Sequence, residues 1–190
     1  MSLLMFSSMA AQAPKVRARL ELEALLLRAA RGEAQAVGEI YEETRGAVYG
    51  FSLSILRNAH DAEDVLQETY IRVFENSASY KPNGNPMPWI LQIAKNLSLM
   101  RLRQRKRQEP MPEEDVLLPE TLTLPEDRLV LRAALETLDD QERQIVSLHA
   151  LAGFKHREIA AFLHSPLSTV LSRYQRAIKK LQKRLEEEGA

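Results

Sequence analysis

Apolar residues recur at helical spacing along most of this chain. Leu22, Leu25, Leu26 and Ala29 fall at i, i+3, i+4 and i+7, and Gly32 closes the pattern. A second helix is predicted from about Glu33 to Arg57, with Ile40, Thr44, Val48, Phe51 and Ile55 on one stripe. Gly38, Gly46 and Gly50 lower its propensity, and their near four-residue spacing suits close helix packing. A third helix is predicted to open at Asp61 as N-cap, with Glu63 and Asp64 in the first turn, where the helix dipole favours acids. Leu66, Tyr70, Val73 and Phe74 are its expected core face. Asp64, Gln67, Glu68 and Ile71 share the opposite face. A merely solvated face does not account for Ile71, whereas an apolar residue ringed by acids and an amide suits a protein-docking surface.

The stretch from Asn76 to Pro88 carries three prolines and Gly84, and is expected to be a loop. Trp89 is predicted to start a helix over Ile93 and Leu97 that runs into the basic Arg101 to Arg107. A lone tryptophan is more often a core residue than a base-stacking platform. Here a stiff loop delivers it, and a helix bearing Asn96 and then arginines follows. Stacking surface, amide and phosphate-binding cations are the parts of a single-stranded nucleic-acid site.

Helices resume after Glu126. Leu129, Ala133 and Leu135 to Leu138 form a short one. Asp139 with Glu142 makes a capping box, Ile145, Leu148 and Leu151 follow as a core stripe, and Gly153 ends that helix. A helix over Glu158 to Leu163, a turn at His164 to Pro166 and a long helix to about Glu187 come next. Ser165 is the expected N-cap, with Pro166 at the first helical position. Val170, Tyr174, Ala177, Ile178, Leu181 and Leu185 form its buried stripe, and Thr169, Ser172, Arg173, Arg176 and Lys180 lie off it. Two helices joined by a short turn, the second with a polar and basic face, make a helix-turn-helix that can enter a major groove. A generic helical hairpin with a solvated basic face is the other reading.

Charge adds organisation that the net value hides, since the formal charge of the 190 residues is +0. From Arg101 to Arg107 five of seven residues are basic; from Gln108 to Asp127 seven are acidic and none is basic. From Lys155 to Arg184 eight Lys/Arg face one acid, Glu158. Two anion-binding surfaces joined by an acidic spacer follow from that order. The spacer holds Pro110, Pro112, Pro119 and Pro125, which favour an extended path, and Val116, Leu117, Leu118, Leu122 and Leu124 suit docking on a partner or on the chain itself. The fold class is therefore all-α: two small helical domains joined by an extended acidic linker. The expected divisions are a disordered tail over 1–19, a domain over 20–107, the linker over 108–127 and a second domain over 128–187.

Several chemistries lack their residues. There is no cysteine, so disulfides, zinc–thiolate sites and thiol catalysis are excluded. His60, His149, His156 and His164 form no recognised ligand spacing, and no phosphate-binding glycine loop or nucleophile elbow is present. Asp61, Glu63 and Asp64 lack a second set of metal ligands nearby. No catalytic residue, metal or cofactor is expected. Leu3 to Phe6 and Ala11 to Ala13 resemble parts of a secretory signal, but no positive segment precedes them and Ser7-Ser8 interrupts the apolar run. No membrane insertion is expected, and the cytoplasm is the expected location.

Asp61 to Tyr70 (DAEDVLQETY), Trp89 to Asn96 (WILQIAKN) and Pro166 to Ala177 resemble, in that order, three motifs of the extracytoplasmic-function (ECF) group of bacterial RNA polymerase sigma factors. The likeness covers about Leu20 to Glu187. It implies a transcription initiation factor that binds core RNA polymerase, directs it to promoters and melts the −10 element. Asp61, Asp64, Gln67, Glu68 and Ile71 would then dock on the clamp helices of the largest subunit, with the flap as a further contact. Tyr80, Lys81, Trp89, Lys95, Asn96, Arg101, Arg103 and Arg105 would handle −10 DNA, the loop from Tyr80 to Pro88 taking a flipped base. Ser168, Thr169, Leu171, Ser172, Arg173, Gln175, Arg176 and Lys180 would meet the −35 duplex. The linker would thread towards the polymerase channels, and an anti-sigma factor is an implied partner. Ser168, Leu171, Met100 and the Pro86-Met87-Pro88 loop depart from the family pattern and bear on base preference. The rival readings are a stand-alone helix-turn-helix regulator and a purely protein-binding adaptor.

Overall fold

The computed structural model describes residues 16–105 and 136–188, which fall in two compact units. The described residues are helical, with no strand among them. The acidic linker, the N-terminal fifteen residues, and Leu129, Ala133 and Leu135 lie outside the described residues.

The first unit has four helices: α1 (Val16–Ala29), α2 (Ala34–Leu56), α3 (Ala59–Asn76) and α4 (Met87–Arg105). A 3-10 turn, Ser77–Ser79, follows α3. Helix α2 is the central element, packed against α1, α3 and α4. Its run from Ala47 to Leu56 is buried nearly all round, as a helix enclosed by neighbours requires. Burial therefore overrides the low propensity of its glycines. Gly38 is exposed with open space around it, so no close packing occurs there. Ile40, Thr44, Val48 and Phe51 are buried as the pattern predicts, while Leu56 is buried in place of half-exposed Ile55. Thr44 Oγ1 shares a hydrogen bond with Tyr70 Oη at 2.7 Å and also donates to the Ile40 carbonyl, which satisfies the hydroxyls at the α2–α3 seam.

Several local expectations shift. Helix α1 begins at Val16, inside the stretch expected to be disordered. Its core residues Leu22, Leu25, Leu26 and Ala29 are all buried, and Gly32 closes it at φ +88. Helix α3 begins at Ala59, and its cap is Asn58, whose side chain accepts from the Asp61 N–H at 2.7 Å. Asp61 is therefore the third residue of the helix, with its carboxylate free to reach elsewhere. The buried stripe of α3 is Ala62, Val65, Thr69, Tyr70 and Val73. Phe74 stands one residue, about 100°, away from Val73 and is 42% exposed, while Leu66 is half-buried. Helix α4 starts at Met87, not Trp89: the Pro86 carbonyl accepts from Trp89 and Ile90. Pro88 fits there because a first-turn N–H has no helical partner to lose. Met87, Ile90, Leu91, Ala94 and Ser98 form its core face, and Ile93 and Leu97 are only half-buried.

The second unit packs α5 (Asp140–Ala150), α6 (His156–Phe162) and α7 (Leu167–Glu188) against one another. The Asp139/Glu142 capping box forms as the sequence predicts. Ile145 and Leu148 are buried, Leu151 less so, with Ala152 and Phe154 completing that corner. Val170, Ala177 and Leu181 carry α7 into the core with Tyr174 and Ile178 beside them; the side chain of Leu185 lies outside the described residues. In the turn, His164 takes φ +52, and the Ser165 N–H bonds the Ala160 carbonyl at 2.9 Å. The Ser165 hydroxyl donates to the Leu163 carbonyl at 3.4 Å instead of capping α7, which begins on the Pro166 carbonyl.

His149 and His156 stack at 4.7 Å, and both meet the Tyr174 ring edge-on at 4.9 and 4.6 Å. His149 Nδ1 is bonded to the Phe154 carbonyl, and His156 Nε2 is buried with no hydrogen-bond partner among the described residues. Burial, and then the neighbouring imidazole of His149, hold the His156 pKa below the usual histidine value. The unfolded chain therefore takes up the proton first as pH falls. Stability conferred by neutral His156 is present above the ordinary histidine pKa and is lost on acidification through the lower folded value. Denaturant unfolding at stepped pH should show this unit weakening from neutral towards acidic pH, and His156→Phe should flatten that slope.

Candidate docking face and nucleic-acid interface

The acids of α3 and the bases of α4 meet inside the first unit. Ala94, Ser98, Arg101 and Arg105 lie at i, i+4, i+7 and i+11 along α4 and form the side that faces α3. Arg101 Nε donates to Asp61 Oδ1 at 2.8 Å, and its Nη2 bonds Asp64 Oδ2. Arg105 Nη1 stands 3.9 Å from Asp61 Oδ2. Two residues expected to dock on a protein are thus paired with two expected to bind DNA. Arg103, about 200° round the helix from Arg101, is exposed.

The remaining docking candidates stay at the surface. Gln67 is exposed and Ile71 is 53% exposed. Glu68 pairs with Arg72 at 2.9 Å, and Arg72 reaches Glu75 at 3.2 Å. Phe74, at i+3 from Ile71, enlarges the apolar centre that the sequence reading had confined to one residue.

Across α4, Trp89, Asn96 and Arg103 recur at seven-residue steps and so share a face, with Met100 exposed between the last two. Asn96 is exposed, and its Oδ1 accepts from Gln92 Nε2 at 2.9 Å. Lys95 is half-buried, and burial holds its ammonium below the usual lysine range. Lys81 is exposed on the loop before α4. Trp89 is half-buried with its ring 5.3 Å from that of Tyr80. Tyr80 is only 7% exposed, and its hydroxyl donates to Glu23 at 2.8 Å. Its ring is tilted 60° to that of Trp89 and packs against it. Glu23 also accepts from the backbone of Asn83 and Gly84. No sequence spacing marks Glu23, because its partners are 57 to 61 residues away.

On α7 the same division of labour appears. Ser168, Leu171, Ser172, Gln175 and Arg176 are exposed along one side, and Thr169 is half-buried. Ser172 Oγ donates to the Thr169 carbonyl at 3.0 Å. Lys179, four residues beyond Gln175, continues that side and is missing from the sequence-based set; the helical step alone would have included it. Arg173 and Lys180 turn the other way. Arg173 stands 3.6 Å from Asp139, and Lys180 Nζ bonds Glu142 at 2.6 Å, where the Glu142 side chain is 1% exposed. These two cations complete the capping box of α5 and hold α7 to it.

Among the described residues no three His, Asp or Glu side chains gather to hold a metal, and no helix is long and apolar enough to cross a membrane.

Residues 40–108 match the family model for Sigma-70 region 2, and residues 128–181 match that for Sigma-70, region 4. Similar proteins include the ECF RNA polymerase sigma factor SigK of Mycolicibacterium vanbaalenii, 30% identical over 185 residues, which span 92% of this chain and 93% of the relative. The SigK of Mycobacterium tuberculosis is 30% identical over 173 residues, 85% of this chain and 92% of that protein. Among solved structures, the sigma factor RpoE of Bartonella quintana, in complex with the anti-sigma factor NepR, has TM-score 0.66 at 23% identity and covers 78% of this chain and 96% of that one. CnrH, in complex with the cytosolic domain of CnrY, has TM-score 0.62 at 23% identity, covering 87% and 97%. At that identity the two structures speak to the fold.

The α3–α4 pairing can be read out by salt dependence. Asp61→Asn removes the carboxylate that faces both Arg101 and Arg105. Titrating a labelled single-stranded DNA at stepped salt should give tighter binding and a steeper slope, by up to about 0.7 per guanidinium released to a phosphate. An unchanged slope would mean that the pairing does not withhold these arginines from DNA.

Proposed function

This chain belongs to the ECF group of RNA polymerase sigma factors, and we propose how its residues divide the work of initiation. As an alternative sigma factor it is a transcription initiation factor, binding core polymerase and directing it to promoters. It acts on RNA polymerase in the cell interior. The stand-alone helix-turn-helix regulator is not the reading this family supports.

The finer assignment rests on one observation. Within a single packed unit, α3 exposes an amide and two apolar side chains, Gln67, Ile71 and Phe74, while α4 exposes Asn96, Met100 and Arg103. The α3 face has the make-up of a protein contact, with an apolar centre ringed by Glu68, Arg72 and Glu75. We assign it to the clamp helices of the polymerase. The α4 face combines an amide for a base edge, a half-buried tryptophan for stacking and a guanidinium for phosphate, and we assign it to the melted −10 strand. Unstacking a base costs a few kcal/mol, which contacts in such a site offset.

The side of α7 bearing Ser168, Leu171, Ser172, Gln175 and Arg176 is assigned to the −35 major groove. Arg176 can pair with a guanine edge, Gln175 with an adenine, and Leu171 can touch a thymine methyl. Arg173 and Lys180, engaged with Asp139 and Glu142, hold that helix in place and meet phosphate only where it competes with those carboxylates. We place the protein in the cytoplasm, working without catalytic residue, metal or cofactor of its own. A protein inhibitor of the anti-sigma kind is proposed as a partner, because an exposed apolar dock needs cover when polymerase is absent.

Run-off transcription with core polymerase on a promoter library is the direct test; no promoter-dependent product together with no association with core would overturn the assignment. Gln67→Ala combined with Glu68→Ala should raise the Kd for core at least about tenfold while helix content is kept. Asn96→Ala should leave core binding intact and reduce open-complex formation, measured by permanganate reactivity of unpaired thymines. Normal opening by that variant would remove Asn96 from the −10 site.

A further inference from the structure

The loop between the 3-10 turn and α4 is held from outside by a residue of the first helix. Glu23 Oε1 accepts from the Tyr80 hydroxyl, the Asn83 N–H and the Gly84 N–H, each at 2.8 Å. Three donors and no acceptor converge on this oxygen, an environment that favours the ionised carboxylate over the protonated acid. The donors in turn keep the carboxyl below its usual range, the Gly84 N–H first and the Tyr80 hydroxyl next. Asn83 Oδ1 accepts from the Asn85 N–H at 3.0 Å and lies 3.2 Å from the same tyrosine hydroxyl. Gly84 sits at φ +75, a conformation that other residues rarely take. The loop is thus pinned at four positions: 80, 83, 84 and 85.

These bonds hold an exposed loop. Lys81, Pro82 and Asn83 are at the surface, and only the loop's ends, Tyr80 and Pro86, are buried. Core packing does not need the tip to follow one path. A ligand that must fit the tip does, because a loop already ordered loses less freedom when it binds.

We propose that Glu23 is a positioning residue that fixes the shape of the Tyr80–Pro86 loop and thereby sets which −10 base the chain accepts. This rests on the reading that the loop receives a base from the melted strand. It places a determinant of promoter preference outside residues 40–108, the segment that matches the region 2 family model.

The test uses holoenzyme assembled from the full chain and core polymerase, offered single-stranded DNA randomised over the −10 positions. Sequencing the retained strands gives the base preference at each position. The wild type should enrich one base at the position that faces the loop. Glu23→Ala should flatten the preference there by about tenfold, with other positions and core affinity unchanged. Glu23→Gln should fall between, since its amide oxygen accepts without the charge. Tyr80→Phe, which keeps the ring against Trp89 and removes one donor, should also fall between. If Glu23→Ala keeps the wild-type profile while Asn83→Ala alters it, the proposal fails and the base-capture reading stands. If neither alters it, that reading fails and takes the proposal with it. Should Glu23→Ala not fold by circular dichroism, the Gln and Phe variants decide: unchanged profiles in both overturn the proposal.

Discussion

Acids at or near the start of one helix, answered by cations from a later helix, tie the helices together within each of the two units. In the first unit Asp61 and Asp64, early in α3, take Arg101 and Arg105 near the end of α4. In the second unit Asp139 and Glu142, at the start of α5, take Arg173 and Lys180 of α7. Asp61, Asp139 and Glu142 also gain from the helix dipole, so each of these carboxylates serves the end of its own helix and the angle of another. Apolar burial supplies most of the stabilisation but is non-directional. The apolar stripes set which side of α4 and of α7 turns inward, and the ion pairs add direction at the edges of those stripes.

That division places several basic residues of α4 and α7 in ion pairs within their own unit. Arg103 is exposed while Arg101 and Arg105 pair with Asp61 and Asp64; Arg176 and Lys179 are exposed, Arg173 pairs with Asp139, and Lys180, though exposed, is bonded to Glu142. The outward sides are rich in amides, hydroxyls and single apolar groups. Side chains of that kind read base edges, whereas phosphate contacts mainly position a protein on its duplex. A sigma factor that reaches promoters on polymerase has need of selectivity more than of strong non-specific attraction. The same economy appears at the loop before α4, where a carboxylate orders a polar, exposed segment.

Local chemistry was legible in advance where it was local. The Asp139/Glu142 capping box, the Gly32 stop and the α1 stripe each depend on residues within a few positions, and each forms as the pattern predicts. Small shifts came from competition between near-equivalent local choices. Asn58 caps α3 in place of Asp61, and Pro88 is accepted in the first turn of α4. Phe74 was misplaced because hydrophobicity alone favours burying an aromatic. The helix instead buries the smaller Thr69, whose hydroxyl bonds the Val65 carbonyl, and leaves Phe74 at the surface.

The sequence by itself determined the all-α class, the order of the motifs and the family to which they belong, because periodicity and motif spacing are properties of neighbours along the chain. Tertiary structure alone decided which charges are spent on the fold. Arg101 and Arg103 look alike in the sequence, yet two residues of helical rotation send one to Asp61 and the other to solvent. Glu23 carries no local signature at all, since its three donors arrive from a loop some sixty residues on, and only packing α1 beside the 3-10 turn brings them within reach.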